Sequence, residues 1–492
     1  MVLKVGILMK EKRKFIIIIY ILIILLAILL TKKEVQNDLF YTIKIGEDIL
    51  KYGIDFKDHY SITNDLSYTY PHWFFDLVIS LMYKFKNMNG IYYFTIFIYG
   101  ITGISMFKIY EKLTKNTLLS AMFSISFIFL LQSFITSRAQ SISYICFLFE
   151  IYFIYKLLET NKKRYSIALF LTAVILANTH IAMFPMYFVF FLPFLVESLI
   201  SKWITTKDNN ILIKKEKNIN ILFKTFIISI FSGLLTPLRL NPYTYFFKTL
   251  IGNSMDVIAE HQPINISSNP GFFVLLGMIF FFLIFTKPKV RLSDLFLLFG
   301  LSLLTLLSKR SYALFLIIGA IPMIRIIASY IKEKDNTACE KIINILMNYK
   351  VSFIFPIMII TGAFIRYQNN PNYYIDEKKY PTKVVEFIKK ELDIKNIRLW
   401  NEYNYGSYLL FNDIKVFIDS RADLYTKEFN KGEYEILDDY MNTSKNYKEI
   451  FKRYGITHAV VDKTEKTYFV LRENKNNKVL YEDDYFVLYQ II

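Results

Sequence analysis

Between Asn37 and Asp76 the chain concentrates groups that can move protons: Asp38, Glu47, Asp48, Asp55, Asp58, Asp65 and Asp76, with His59, His72 and a row of tyrosines. A carboxylate accepts a hydroxyl proton best when water is kept off it, because desolvation raises its basicity. Asp38 meets that condition: it follows an apolar run ending at Leu30 by a few residues, just above a bilayer surface, with Phe40 and Tyr41 beside it. It is the candidate general base. Asn37-Asp38 also makes a good helix N-cap pair, and the two roles are compatible. Glu47 belongs to the polar side of the same helical stretch, on a solvated face or toward a cavity. Asp76 lies inside the apolar run WFFDLVISLMY (73–83), and a charge in such a run faces a cavity or a partner. His72, just before that run, is read as cavity-lining. Glu260, just before His261-Gln262-Pro263, offers a second carboxylate for an acceptor or a metal.

The complementary groups are cations at the ends of apolar blocks: Arg138, Arg239, Lys309 and Arg310. Guanidinium grips phosphate with two parallel bonds where ammonium acts as a point charge. Arg138 with Gln140, and Arg310, form the preferred phosphate-binding set; anchoring at the lipid headgroups is the plainer alternative. Asn178 and His180 sit at a tight turn between apolar blocks and are read as cavity-lining. Asp419, Arg421 and Asp423 alternate, so a strand would carry them on one face, pairing with one another or gripping an acceptor. No zinc-type ligand spacing occurs, so no metal ligand is assigned. No glycine-rich phosphate loop occurs either, which argues against a nucleotide-driven reaction. No cofactor is expected with certainty, and a divalent cation is left open.

These residues must be held by a membrane protein. The 492 residues are 54% hydrophobic and 17% aromatic, against about 45–50% apolar in ordinary soluble domains. The excess falls in blocks of about 15–20 residues, the length that crosses a bilayer core. The net charge of +17 gathers in short loops between those blocks, so topology accounts for it and nucleic acid is not an expected partner. Cys146 lies in an apolar block and Cys339 in a basic loop, and no disulfide is expected.

The basic flank before FIIIIYILIILLAILL has no small-residue cleavage site after the run, so it reads as an uncleaved first span with a cytoplasmic N-terminus. Residues 38–52 have helical apolar spacing and suit an interfacial helix. The 73–83 run is short for a span and reads as interfacial or re-entrant. If it does not cross, the chain has about 11 spans in all (the first, then 90–107, 117–135, 140–158, 165–179, 182–201, 219–236, 271–286, 293–307, 312–328 and 351–366), the lysine-rich loops all stay inside, and the 5 histidines all face outward. The expected organisation is a mainly α transmembrane bundle over 1–366, with interfacial helices in a first outer loop at 32–89, and a small extracytoplasmic α/β domain over 367–492. In that domain IRLW, KVFID, THAVVD and YFVLYQ read as strands, PTKVVEFIKKEL and NYKEIFKRYG as helices.

The first loop resembles that of the bacterial C-type (GT-C) membrane glycosyltransferases, many of them uncharacterised, whose loop runs roughly Asp-Leu-Trp-Trp-His, Gly-Glu, Pro-Phe-Ser-Tyr-Thr and His-Glu-Trp. The counterparts are Asp38-Leu39-Phe40-Tyr41-Thr42, Gly46-Glu47, His59-Tyr60-Ser61-Ile62-Thr63 and Pro71-His72-Trp73. Position 42 has Thr for His, and position 72 has His for Glu. Asn178-Thr179-His180, Asn241-Pro242, Glu260-His261-Gln262-Pro263, Trp400-Asn401-Glu402-Tyr403 with Gly406-Ser407-Tyr408-Leu409, and Asp419-Ser420-Arg421-Ala422-Asp423 extend the resemblance along nearly the whole chain. It implies a polyprenyl-phosphate-linked sugar donor, a membrane-lipid setting, a glycan, lipid or protein acceptor, an inverting transfer with Asp38 as base, and a plasma-membrane location. A lipid-linked glycan transporter or flippase, and a non-catalytic envelope assembly protein, are the competing expectations; related halves with paired Gly/Pro-broken spans, the mark of many transporters, are not seen.

Overall fold

The computed structural model describes residues 2–204, 210–251, 262–335, 337–348, 352–430 and 435–492, with side chains from Lys10 onward. In chain order the helices are α1 (Val2–Leu30), α2 (Asn37–Tyr52), α3 (Trp73–Thr114), α4 (Thr117–Leu130), α5 (Ala139–Thr160), α6 (Lys163–Thr179), α7 (Phe184–Val189), α8 (Leu192–Ile200), α9 (Ile219–Ile230), α10 (Asn241–Ile251), α11 (Pro270–Thr286), α12 (Leu292–Leu307), α13 (Tyr312–Lys334), α14 (Ala338–Leu346), α15 (Ile354–Gln368), α16 (Thr382–Glu391), α17 (Tyr403–Phe411), α18 (Ile436–Tyr454) and α19 (Lys466–Glu473). The strands are β1 (Ile211–Leu212), β2 (Val290–Arg291), β3 (Leu399–Trp400), β4 (His458–Asp462), β5 (Lys478–Glu482) and β6 (Phe486–Gln490).

Among the described residues, Lys10–Leu30, Trp73–Thr114, Ala139–Thr160, Ile181–Ile200 and Lys309–Lys334 are helices long and apolar enough to cross a membrane. Thr117–Ser133, Ile219–Leu234, Pro270–Thr286, Leu292–Leu307 and Ile354–Gln368 are shorter apolar helices. The apolar block 165–179 lies on α6, outside both sets; the other blocks fall on these helices, and the chain is a multi-pass membrane protein. Ile17, Ile21, Ile24 and Ile28 form an exposed stripe on α1 at helical spacing. A stripe of that kind is stable against hydrocarbon rather than water.

The chain divides into two compact units that interleave in sequence. The first is built from Met1–Lys32, Tyr92–Thr236 and a stretch ending at Asn370. It is the helical bundle. At Gly103 a Cβ would lie 2.6 Å from Ile128 and 2.7 Å from Ile23, so α1, α3 and α4 meet there at backbone range. Several charges inside the bundle are paired. Arg291 bonds to Glu197 (2.6 Å) and forms an ion pair with Glu216 (2.8 Å), where the two-residue parallel pair β1–β2 ties a loop onto α8. Arg325 meets Asp294 at 3.1 Å and covers the Tyr155 ring at 4.3 Å.

The second unit joins Lys33–Ile91, a stretch from Pro237, and Pro371–Ile492. The first loop and the C-terminal residues thus share one core, a different cut from the linear division at residue 366. Phe40 of α2 packs edge-on against Tyr380 (5.1 Å) and Tyr408 of α17 (5.1 Å). The sheet order is β3-β4-β6-β5, with β3 parallel to β4 and the other pairs antiparallel; Val460 stands opposite Leu488. α16 and α18 form where the amphipathic spacing places them. KVFID does not enter the sheet. Val416 instead exchanges backbone bonds with the first loop, accepting from Ile62 (2.8 Å) and donating to Tyr60 (2.9 Å). Its apolar run 416–418 records burial beside that loop rather than a place among the other strands.

The 73–83 run forms a helical segment of its own within α3: non-helical φ/ψ at Lys86 and Asn87 separate it from the segment that runs on to Thr114. One further expectation needs correction. α2 starts at Asn37 with Gln36 as N-cap and no side-chain cap bond, so Asp38 lies in the first turn and is not a cap.

Gly46 of α2 lies against α3. A Cβ there would meet the Asp76 carbonyl oxygen at 2.1 Å and Ser80 Cβ at 2.6 Å. Gly46→Ala must push the helices apart and should cost about 1–3 kcal/mol, as overpacking does. Gly362→Ala, where nothing lies within 4 Å, should be neutral or stabilising. Thermal unfolding of the two variants in detergent checks the contrast.

Candidate active site

In the second unit one charged group of the first loop, Asp58, pairs with Arg421. Its Nη1 bonds Asp58 Oδ1 at 2.6 Å and its Nη2 bonds Asp419 Oδ2 at 2.7 Å, with the three side chains 3%, 1% and 0% exposed. Tyr425 donates to Asp419 Oδ2 (2.6 Å), and the Ser61 N–H donates to Asp58 Oδ2 (2.9 Å). The guanidinium lies over the rings of Tyr68 (5.1 Å) and Tyr60 (5.7 Å). Burial pushes the Asp58 carboxyl up, but the Arg421 charge and the Ser61 bonds more than cancel it and hold Asp58 below the ordinary carboxylate range. Burial works against the charge of Arg421 too, and its two carboxylates hold its pKa well above the usual value.

Asp419 and Arg421 therefore pair with each other as expected, though not on a strand. The Asp419 carboxylate accepts the Arg421 backbone N–H (2.9 Å), which closes a turn. Asp423 points elsewhere: it lies in the 3-10 turn Ala422–Tyr425 and accepts from Tyr245 of α10. Asp58 was one acid among several in the sequence, and its role comes from partners far along the chain.

A second cluster joins α2 to the start of α3. Asp76 is fully buried, and its Oδ1 accepts from His72 Nδ1 at 2.6 Å. His72 Nε2 bonds the Tyr41 hydroxyl at 3.1 Å. Thr42 flanks the same carboxylate, so the two positions that depart from the glycosyltransferase pattern, 42 and 72, both lie against Asp76. Asp76 Oδ2 and the Tyr68 hydroxyl are buried without a hydrogen-bond partner among the described residues. Asp38 is half-buried in the first turn of α2, three residues before Tyr41 and on the same face. Glu47 is peripheral, 3.9 Å from Lys44, which bonds Asp413 more closely at 2.6 Å. Near the loop's tip Asp55 accepts from Tyr70 (2.8 Å) and pairs with His59 (2.7 Å). Burial raises its pKa, but the Lys57 N–H, Tyr70 and His59 together bring it below the usual range.

The phosphate-binding candidates belong to the first unit. Arg138 is the N-cap residue of α5, and Gln140 is buried in its first turn. His180 caps the C-terminus of α6 and bonds Ser143 of α5 at 2.8 Å, one turn from Gln140. Arg310 lies in the 3-10 turn Lys309–Ser311. The Phe134 ring, just before Arg138, meets Tyr312 at 5.9 Å, which brings these two loops side by side. Asn178 is spent on structure, donating to the carbonyls of Val174 (2.8 Å) and Leu235 (2.9 Å). Glu260 lies outside the described residues. Among the described residues no group of three His, Cys, Asp or Glu side chains is arranged to hold a metal ion.

No protein-family model matches the sequence, and no curated protein matches it significantly. Solved structures do match. The oligosaccharyltransferase of Archaeoglobus fulgidus, tethered to an acceptor peptide containing the NVT sequon, superposes with TM-score 0.61 at 9% identity, over 92% of this chain and 70% of that one. The same organism's AglB, in complex with an inhibitory peptide and a dolichol-phosphate, gives 0.59 at 9% identity over the same shares. ArnT of Cupriavidus metallidurans, bound to undecaprenyl phosphate, gives 0.54 at 11% identity over 98% of both chains. The chain has the fold of the GT-C membrane glycosyltransferases.

Asp58→Asn should leave Arg421 half-answered and cost about 3–5 kcal/mol, the usual cost of breaking a buried ion pair. The folded pKa of Asp58 is depressed, so its contribution is full above the unfolded carboxyl value near 3.9 and fades as pH falls through the lower folded value. Denaturant unfolding of wild type and Asp58→Asn should show a stability gap at neutral pH that narrows in strong acid.

Proposed function

We propose that this protein is a membrane glycosyltransferase that moves a sugar from a polyprenyl-phosphate-linked donor to a cell-envelope acceptor at the outer face of the membrane, with a cytoplasmic N-terminus and the 367–492 region outside. The observation that carries the reading is the end-to-end match in fold to ArnT with undecaprenyl phosphate bound, over 98% of both chains. The oligosaccharyltransferase with its tethered acceptor peptide supports the same reaction class.

Asp38 takes the acceptor's proton. The acceptor oxygen then bonds to the sugar's anomeric carbon as the bond from that carbon to the phosphate oxygen breaks, and the configuration inverts. The polyprenyl phosphate leaves with the negative charge, which Arg138 and Arg310 answer by paired N–H bonds while the N-terminus of α5 adds its dipole. Gln140 and His180, beside Arg138, line the donor side. No step requires a nucleotide, and a divalent cation would serve only as a further counter-charge.

A radiolabelled polyprenyl-phosphate sugar, incubated with purified protein and envelope fractions, should yield labelled acceptor. Uptake into vesicles without transfer would favour a transporter, and neither result would favour an assembly protein. Asp38→Asn keeps the side chain's shape and loses only the base and a first-turn charge, the latter worth about 0.3–1 kcal/mol. Transfer should fall by about 10²–10⁴, and near-normal transfer by a folded Asn variant would remove Asp38 from the mechanism. Arg138→Lys and Arg310→Lys keep charge but lose the fork, and each should weaken donor binding more than acceptor binding. Equilibrium binding of each partner decides that.

A further inference from the structure

The chain Tyr41–His72–Asp76 does more than fill a core. Its carboxylate is completely buried, and both nitrogens of its imidazole are bonded, at 2.6 Å to Asp76 and 3.1 Å to Tyr41. An imidazole held at both nitrogens has one orientation. With Asp76 accepting at Nδ1, a neutral ring offers Nε2 as acceptor to the Tyr41 hydroxyl. The Tyr41 and His72 rings also lie 5.8 Å apart, tilted by 31°.

Two contacts then define how α2 sits on α3. Gly46 brings the helix backbones together, with no room for a Cβ beside the Asp76 carbonyl. That contact sets separation, and Phe40, seated among Tyr380, Tyr408 and Phe411, holds the helix on its side toward the C-terminal region, but a glycine surface supplies no directional bond toward α3. The hydrogen bond from Tyr41, five residues earlier, supplies it at the end of the helix where Asp38 stands. Asp38 and Tyr41 share a face one turn apart, so whatever turns Tyr41 turns Asp38 with it.

We propose that Tyr41, His72 and Asp76 are positioning residues: a hydrogen-bonded chain that sets the rotation of α2 and thereby the direction of the Asp38 carboxylate. Its catalytic consequence rests on Asp38 being the base of the proposed transfer; its structural half does not. A misdirected base should lower kcat by on the order of ten- to a hundredfold and leave the donor's KM unchanged, since none of the three holds the donor.

Three variants test it. Tyr41→Phe removes one hydroxyl. His72→Asn retains an amide near the Nδ1 position for Asp76 but cannot reach Tyr41. His72→Gln reaches toward Tyr41 but gives up Asp76. The first readout needs no transfer activity: carbethoxylation by diethyl pyrocarbonate, followed by peptide mass spectrometry. His59, 44% exposed, should react fast in every protein. His72 should react slowly in wild type and several-fold faster in Tyr41→Phe, where Nε2 is released. Amide hydrogen exchange over 37–45 should quicken in Tyr41→Phe and in His72→Asn. An unchanged His72 rate, or unchanged exchange, overturns the chain as a hold on α2 whether or not the protein transfers sugar. On an active preparation, Tyr41→Phe and His72→Asn should lose kcat together at constant donor KM, with His72→Gln recovering part of it. Full kcat in Tyr41→Phe with His72 unmasked overturns the positioning role, whereas full kcat in Asp38→Asn overturns the base and not the chain.

Discussion

The buried charge of Arg421 is the constraint on which the second unit depends. A guanidinium taken from water loses solvation worth several kcal/mol, and only closely placed carboxylates with their own hydrogen bonds return it. Asp58 and Asp419 supply the charge, Ser61 and Tyr425 satisfy oxygens left over, and Tyr60 and Tyr68 present ring faces to the cation. Remove one member and the others become liabilities. The backbone bonds of Val416 with Tyr60 and Ile62 flank Ser61, itself a member of this knot. The first loop is therefore not a loose crossing between helices but part of a folded body.

From that anchor the geometry passes to α2. Phe40 seats the helix among Tyr380, Tyr408 and Phe411, Gly46 brings it to backbone contact with α3, and the Tyr41–His72–Asp76 chain ties the two together. The bundle follows the same economy, since Glu197, Glu216 and Asp294 are buried against Arg291 and Arg325. Glu150 is the exception: it is fully buried in α5, and neither carboxylate oxygen has a partner among the described residues.

What the sequence could disclose followed from range. Helices in the bundle depend on apolar blocks and turn residues close together, so their places were legible. So were α16 and α18, from amphipathic spacing, and β4 and β6, from short β-branched and aromatic runs. KVFID is an extended, buried run, but its partner is the first loop rather than a neighbouring strand. Asp76 could be singled out because a charge in an apolar run asks for a partner. That the partner is His72, one turn earlier, is a matter of local helix geometry. Asp58 carried no such mark: its neighbours are ordinary loop residues, and its partner Arg421 is fixed only by the tertiary fold. Asp38 looked like a cap because Asn-Asp pairs often are, yet Asn37 is used instead to bond the Tyr403 carbonyl at 2.9 Å. The helix starts two residues before the 39–52 stretch that an Asp38 cap implies.

The bond between Asp58 and Arg421 spans 363 residues of sequence. During synthesis at about 5–20 residues per second, Asp58 waits roughly 20–70 s for its partner to leave the ribosome. Throughout that interval the first loop holds a carboxylate, a bare Gly46 face and several aromatic rings with nothing to close over them, while most of the bundle is being inserted between its two halves. The order of manufacture thus runs opposite to the order of dependence. The segment made early is the one that can be finished only at the end, and a nascent chain released short of residue 421 carries that unfinished surface with it.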